Sequence, residues 1–370
     1  MAYMESLKRL VAVDGFVLSK CNGMSYCLQS ILNAIPAECR SRFVIIVPKC
    51  EAAIESVPAG YEVKILNCSS FLLWSNVVLP YFLLKNFSRV SKVFHPANTM
   101  PFLSSSFFEN YLLLHDVMFL RELSFSSLKH RLNHLYYKMN LFFSLKAVDK
   151  IITVSNFSKS DICSYFSNIH SDDITVIDES AKKFPRSESV KLPVGRIYLS
   201  VCLSDPRKNS ILSVEGFLRY SEHSANSDST LVLFGDPKYW EALKQRFTNV
   251  AGFSERVLFV GRVSDGQLAF LYQNAHAFLF PSSYEGFGLP VLEAMSFGTP
   301  VVTSRVTSLG EVAGEAGVYI EEFSAEQIAG ALVLLDDAHK YADFKQRSLA
   351  NVRRYSWDRS AELLLKLFNS

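Results

Sequence analysis

Little in this chain is present in excess, and several absences narrow what it can be. Its 370 residues carry 38 Lys and Arg against 36 Asp and Glu, a net charge of +2. There is thus no global electrostatic signal for nucleic acid. The longest apolar stretch, Phe71 to Leu84, is interrupted by Ser75, Asn76 and Pro80. It falls short of the roughly 20 apolar residues that a membrane-spanning helix needs. The opening MAYMESLKRLVAVDG holds neither the apolar core nor the cleavage site of a secretory signal. Seven cysteines, an odd number with no C-x-x-C spacing, read as reduced and mostly buried thiols. A cytoplasmic chain with at most peripheral membrane contact is expected. No G-x-G-x-x-G follows the first strand of either half. A Rossmann dehydrogenase is thereby disfavoured.

What is present is a regular alternation. Hydrophobic residues make up 49% of the chain, enough for two cores of ordinary size. Short apolar runs begin near Leu10, Phe43, Val63, Lys92, Tyr111 and Lys150, and again near Arg196, Thr230, Val257, Ala275, Val301 and Gly317. Helix-period segments and turn residues separate them, as in Met24–Ala34, Ser210–Glu222 and Asp265–Asn274. This pattern predicts an α/β fold of two doubly wound parallel sheets. The polar stretch Asp173–Pro193 reads as an interdomain linker. The expected division is 1–190, 191–352, and a closing amphipathic helix within 353–370.

The most informative stretch is Phe280–Pro300, FPSSYEGFGLPVLEAMSFGTP. An apolar strand precedes it and another follows. Pro290 suits the first helical position and Gly298 the left-handed position past the helix end. Ser282–Leu289 is then a loop leaving the carboxyl end of a parallel strand, where open α/β sheets bind ligands. Gly286 and Gly288 permit close backbone approach, and the helix N-terminus offers amides and partial positive charge to phosphate. Glu285 in the loop and Glu293, expected on the first helical turn, supply two carboxylates for sugar hydroxyls.

This string, P-S-x-x-E-G-F-G-L-P-x-L-E-A followed by G-x-P-V, resembles the nucleotide-sugar motif of family 4 glycosyltransferases, retaining enzymes of the GT-B fold. The resemblance implies two Rossmann-like domains facing a cleft, with the last helix crossing back to the first domain. It implies that Glu293 grips the ribose, and that Glu285 with the amides of Gly286, Phe287, Gly288 and Leu289 holds the sugar. The loop Asp205-Pro206-Arg207-Lys208-Asn209 resembles the family's diphosphate clamp, with Lys208 as a point charge and Arg207 as its assistant. It departs from the family pattern in having Cys202 where a glycine is usual. His115-Asp116 after an apolar strand resembles the element whose histidine contacts the donor sugar; His95 is a second strand-end histidine. By family position, the first loop, with Gly15 and Gly23, faces the sugar and acceptor, and Val263 contacts the base. No D-x-D stands where a metal-dependent transferase would use one, so no metal and no cofactor beyond the nucleotide-sugar substrate are expected.

The implied activity is transfer of a hexose, mannose from GDP-mannose by resemblance to bacterial enzymes of surface polysaccharide (O-antigen and lipopolysaccharide) assembly, onto a lipid-linked oligosaccharide. UDP-sugar or deoxysugar donors, a GT-B epimerase and a non-catalytic scaffold are the alternatives. The segment Phe125–Ala147 mixes Lys129, Arg131, Lys138 and Lys146 with aromatic and aliphatic residues and contains no acid. Such a helix can lie on an anionic membrane or pack on a core with a basic solvent face.

Overall fold

Two parallel sheets organise the chain. The structure, a computed structural model, describes residues 10–20, 22–101, 107–121, 128–203, 205–223 and 228–369. The chain divides into a first unit, Met1–Glu179 with Ser356–Ser370, and a second, Ser180–Tyr355.

The first unit contains β1 (Leu10–Asp14), β2 (Phe43–Pro48), β3 (Glu62–Leu66), β4 (Val90–His95), β5 (Glu109–Leu113), β6 (Lys150–Thr153) and β7 (Ile174–Val176). Their order is β3-β2-β1-β4-β5-β6-β7, and every pairing is parallel. β2, FVIIVP, is buried at every position rather than at alternate ones, because helices cover both faces of a parallel sheet. The order reverses between β1 and β4, which makes that junction the switch point where such sheets take ligands. β7 lies inside the stretch read as a linker. Its three residues pair with β6 and were too few to show a period.

Two helical segments are not evident from sequence periodicity. Phe71–Leu73, a π-turn at Trp74–Val78 and Leu79–Lys85 form one broken helical run. Ala338–Val352 adds a helix after the one expected to be the domain's last. The basic segment is helical from Leu128 to Ala147; its expected start at Phe125, and the side chain of Lys129, lie outside what is described.

The second unit contains β8 (Ile197–Cys202), β9 (Thr230–Gly235), β10 (Val257–Gly261), β11 (Ala275–Phe280), β12 (Val301–Ser304) and β13 (Gly317–Ile320). The order is β10-β9-β8-β11-β12-β13, again parallel throughout, with its switch point between β8 and β11.

The closing helix, Trp357–Asn369, buries Trp357, Ala361, Leu364 and Phe368 along one stripe. Its Phe368 ring lies 5.8 Å from Phe43, 5.8 Å from Phe94 and 4.9 Å from Tyr111. Trp357 meets Tyr26 edge-on at 6.0 Å. This helix is thereby part of the first unit's core.

Candidate active site

In the second unit, the loops after β8 and β11 meet at the switch point. Asn209 takes a left-handed conformation and donates its Nδ2 to the Pro281 carbonyl at 2.8 Å. The Ser283 amide donates to the Arg207 carbonyl at 2.9 Å. These two bonds fix the 205–209 loop against the 281–288 loop. Across them, Lys208 Nζ stands 2.5 Å from Glu285 Oε1, with only 14% and 12% of the two side chains exposed. Lys208 also lies 4.8 Å from the Phe280 ring centroid. The sequence assigns these residues to separate parts of a ligand, but the structure joins them as one largely buried pair.

Arg207 is held differently. Its guanidinium pairs with Asp205, with Nε to Oδ1 at 2.8 Å, and reaches toward the Tyr284 carbonyl. Arg207 beside Asp205 holds that carboxyl below the usual range, although burial pushes it the other way. Each cation of the loop thus has a carboxylate partner, Arg207 within its own turn and Lys208 across to the next loop. Cys202, where a glycine was expected to matter, is buried at the end of β8. Its carbonyl lies against Gly235, whose positive φ and lack of a side chain permit that approach.

The helix after the loop is Leu289–Ser296, and Gly288 stands before it at φ 107°. A Cβ there would come within 2.7 Å of Leu309. Glu293 is not in the first turn, which contains no acid. It accepts from the buried Tyr272 hydroxyl at 3.3 Å, and burial, helped by this carboxylate, pushes the Tyr272 phenol well up. Among the described residues the amides of Phe287, Gly288 and Leu289 donate to nothing. The Phe287 ring is buried edge-on against Tyr355 at 5.6 Å, so only its backbone is available.

Two residues missed from the sequence brace this loop. Ser308 Oγ reaches the Glu285 carbonyl at 2.9 Å and the Phe287 carbonyl at 2.8 Å. Thr307 Oγ1 accepts from the Glu285 amide at 3.3 Å and adopts φ 61°. Left-handed backbone is strained for a β-branched residue and recurs at ligand sites. Val263 is half-buried just past β10, at the sheet edge two strands from β8.

In the first unit, His115 follows β5. Its Nδ1 lies 3.4 Å from Glu179 Oε1 and its Nε2 3.3 Å from the Pro96 carbonyl, so protein acceptors face both ring nitrogens. Its amide donates to Asn98 Oδ1 at 2.7 Å, and Asn98 is left-handed at φ 60°. Ligand-capable atoms of Cys27, His115 and Glu179 lie within 4.8 Å of one another. Burial, then the Glu179 carboxylate, pushes the Cys27 thiol well up, so it stays protonated and bonds to Glu179. Glu179 was invisible as a partner because it follows a strand that the sequence did not reveal. His95 is buried; burial pulls it down to about 4 and keeps the ring neutral. The N-terminus of helix Gly23–Ala34 is closed by a capping box between Asn22 and Ser25, which uses the Ser25 amide locally, while Gly23 faces open space.

Residues 188–350 match the sequence model of the family described as glycosyl transferases group 1. The O-antigen chain mannosyltransferase B of Escherichia coli is 35% identical over 248 residues, covering 60% of this chain and 61% of that protein. The O-antigen chain mannosyltransferase RfbU of Salmonella typhimurium is 27% identical over 229 residues, 62% of each chain. The aligned part of the chain thus spans about 60% of the length of these curated relatives. HepE of Anabaena, solved with UDP and glucose, superposes with a TM-score of 0.72 at 16% identity over 98% of this chain and 99% of its own. WaaG, a glycosyltransferase involved in lipopolysaccharide biosynthesis, gives 0.70 at 17% over 97% and 99%. Residues 188–350 thus resemble the glycosyl transferases group 1 family, the two Rossmann-like units have the GT-B fold, and the chain is similar to the O-antigen mannosyltransferases of Escherichia coli and Salmonella typhimurium.

Proposed function

We propose that this protein is a retaining, metal-independent hexosyltransferase, moving mannose from GDP-mannose onto a lipid-linked saccharide in O-antigen-like assembly. The observation that carries the reading is the second sheet's switch point. There a buried lysine–glutamate pair stands on loops that also leave three successive amides, Phe287 to Leu289, without partners among the described residues. A nucleotide diphosphate gains charge as its bond to the sugar breaks. Lys208 and preset amides stabilise that charge where it develops. Lys208 would bridge Glu285 and the diphosphate, Glu285 would keep its other oxygen for the sugar, and Glu293 would hold the ribose. Arg207, tied to Asp205, would act by positioning the loop. Val263 sits at the far edge of the sheet, which suits the base. In the first unit, His115 would offer Nε2 to a sugar hydroxyl by giving up its contact with Pro96. The mannosyl donor and the pathway are drawn from what the relatives are named for; retention is drawn from the family resemblance.

The lipid-linked acceptor has support in the first unit's surface. Helix Leu128–Ala147 exposes Leu132, Leu135, Met139 and Phe142, with Arg131 and Lys138 on the same segment. The Phe71–Lys85 run exposes Leu72, Leu73, Val77 and Tyr81 beside it, joined through Asn76 Nδ2 to the Tyr136 hydroxyl at 2.9 Å. An exposed apolar patch with cationic neighbours suits the cytoplasmic face of an anionic membrane. No helix among the described residues is long and apolar enough to cross one.

Calorimetric titration with GDP, UDP, ADP and dTDP in EDTA tests the donor half. Binding of GDP, weakened in Glu293→Ala, is expected. Binding of none of the four would remove the transferase reading and leave the scaffold alternative.

A further inference from the structure

Behind Glu293 stands a phenol to which the reading above gives no role. Glu293 is half-buried on the second turn of helix Leu289–Ser296. Helix Asp265–Asn274 packs against that helix, and its Tyr272 is fully buried. The Tyr272 hydroxyl donates to Glu293 Oε2 at 3.3 Å. Burial, then the Glu293 carboxylate, pushes the phenol well up, so it stays protonated and is the donor. A hydrogen bond to an ionised acceptor is stronger than one between neutral groups.

The phenol cannot easily move. Its ring stacks on Phe297 with centroids 6.1 Å apart and meets Phe278 edge-on at 5.5 Å. Phe184 closes another side, 6.0 Å from Tyr272 and 5.4 Å from Phe297. The Thr299 hydroxyl donates to the Tyr272 carbonyl at 2.6 Å and ties down the main chain as well. Close packing on these sides holds the ring to one rotamer. A phenylalanine would fill the same space among these rings. What it would lack is the hydroxyl, and the carboxylate is what the hydroxyl meets. Glutamate, by contrast, has three side-chain torsions. Left unrestrained, it must give up their freedom when a ligand binds, and a partner that orients it beforehand removes that cost.

We propose that Tyr272 is a positioning residue for the donor nucleotide, its hydroxyl holding the Glu293 carboxylate in the rotamer that receives the ribose hydroxyls. The role rests on the reading of Glu293 as the ribose ligand; the phenol–carboxylate bond and its aromatic enclosure do not. Being fully buried, Tyr272 acts through Glu293 and not on the nucleotide. Its effect therefore falls on the ribose hydroxyls and spares the base and the diphosphate.

The test is calorimetric titration of GDP against 2′,3′-dideoxy-GDP, and of UDP against 2′,3′-dideoxy-UDP. The full chain, Tyr272→Phe, Glu293→Ala and the double variant are compared. The parent should bind the ribose form of its nucleotide about ten-fold tighter than the dideoxy form, the scale of hydrogen bonds to a charged group. In Tyr272→Phe that preference should shrink to about three-fold or less. The loss should come wholly from the ribose form. Unchanged dideoxy affinity then shows that the fold and the rest of the site are intact. Glu293→Ala should bind both forms alike, and adding Tyr272→Phe to it should change nothing further. An undiminished preference in Tyr272→Phe overturns the proposal. Equal weakening of both forms also overturns it, because a merely structural tyrosine would act that way. No preference in the parent overturns it too, by removing Glu293 from the ribose. A parent that binds neither nucleotide removes the donor reading itself, and the role of Tyr272 with it.

Discussion

Asp14, the buried last residue of β1, accepts from the Trp74 indole at 2.8 Å and makes a thermodynamic prediction that is independent of any ligand. Its carboxyl has a reference value of 3.8 and stands at about 6 in the folded chain, chiefly because burial disfavours the charge. Between those two values the folded state holds a proton that the unfolded state has released. Stability therefore falls as pH rises through that window, and levels off above it. The gap is about two pH units, and at 1.36 kcal/mol per unit it is worth about 3 kcal/mol. Asp14→Asn removes the titration. It should match the parent chain near pH 4 and exceed it by up to about 3 kcal/mol at pH 7.5. Denaturant unfolding at pH 4, 5, 6 and 7.5 measures this. Trp240 belongs to the second unit, so a Trp240→Phe background leaves Trp74 and Trp357 to report the first unit alone. A difference that does not change with pH, or a variant less stable than its parent at pH 7.5, would refute the reasoning. Either result would mean that a cation or bound water compensates the charge.

Other consequences can be checked alongside. Lys208→Ala should cost about 2–4 kcal/mol of transition-state stabilisation, the scale of losing one preset donor, read as kcat/KM for sugar transfer. It should also destabilise the second unit by about 3–5 kcal/mol by stranding Glu285, and Lys208→Ala/Glu285→Ala should recover part of that stability but none of the turnover. Phe368→Ala should lower the first unit's stability by about 3–5 kcal/mol in the same fluorescence assay, because the ring fills a space between Phe43, Phe94 and Tyr111. Metal analysis of the purified chain should find no stoichiometric ion; zinc that disappears in Cys27→Ser would place an ion among Cys27, His115 and Glu179 and end the metal-independent reading. Reversing charge at Arg131 and Lys138 should weaken sedimentation with anionic liposomes, and unchanged sedimentation would remove the membrane contact.

Sequence made the two sheets legible because the central strands, such as FVIIVP and IYLSVC, are runs of mostly apolar residues, as burial on both faces demands, and turn residues separate them. Phe280–Pro300 was legible for the same reason: proline, glycine and glutamate at those spacings have few other uses. What escaped was set by distance or by brevity. β7 has three residues, too few for a period. Ala338–Val352 is polar enough to pass for surface. The pairing of Lys208 with Glu285 links positions 77 apart in sequence, and only the folded loops bring them together. Thr307 and Ser308 look like ordinary turn residues, and nothing local reveals that their hydroxyls brace another strand's loop. Asp14 follows the apolar run that begins at Leu10 and shows no sign of burial in the sequence. Its burial depends on Trp74, which lies in a stretch whose broken helix hides any regular period.

The placement of the last helix bears on how the protein is made. Trp357, Leu364 and Phe368 complete a core whose other members are translated before residue 180. All of Ser180–Tyr355 is synthesised in between. On the ribosome, the second unit can finish folding while the first still lacks its closing helix. The trough beside Phe43, Phe94 and Tyr111 then waits open for the length of nearly two hundred further residues. At roughly 5–20 residues per second that is ten seconds or more of exposed aromatic surface, the interval in which a chaperone, or a neighbouring nascent chain, would find it.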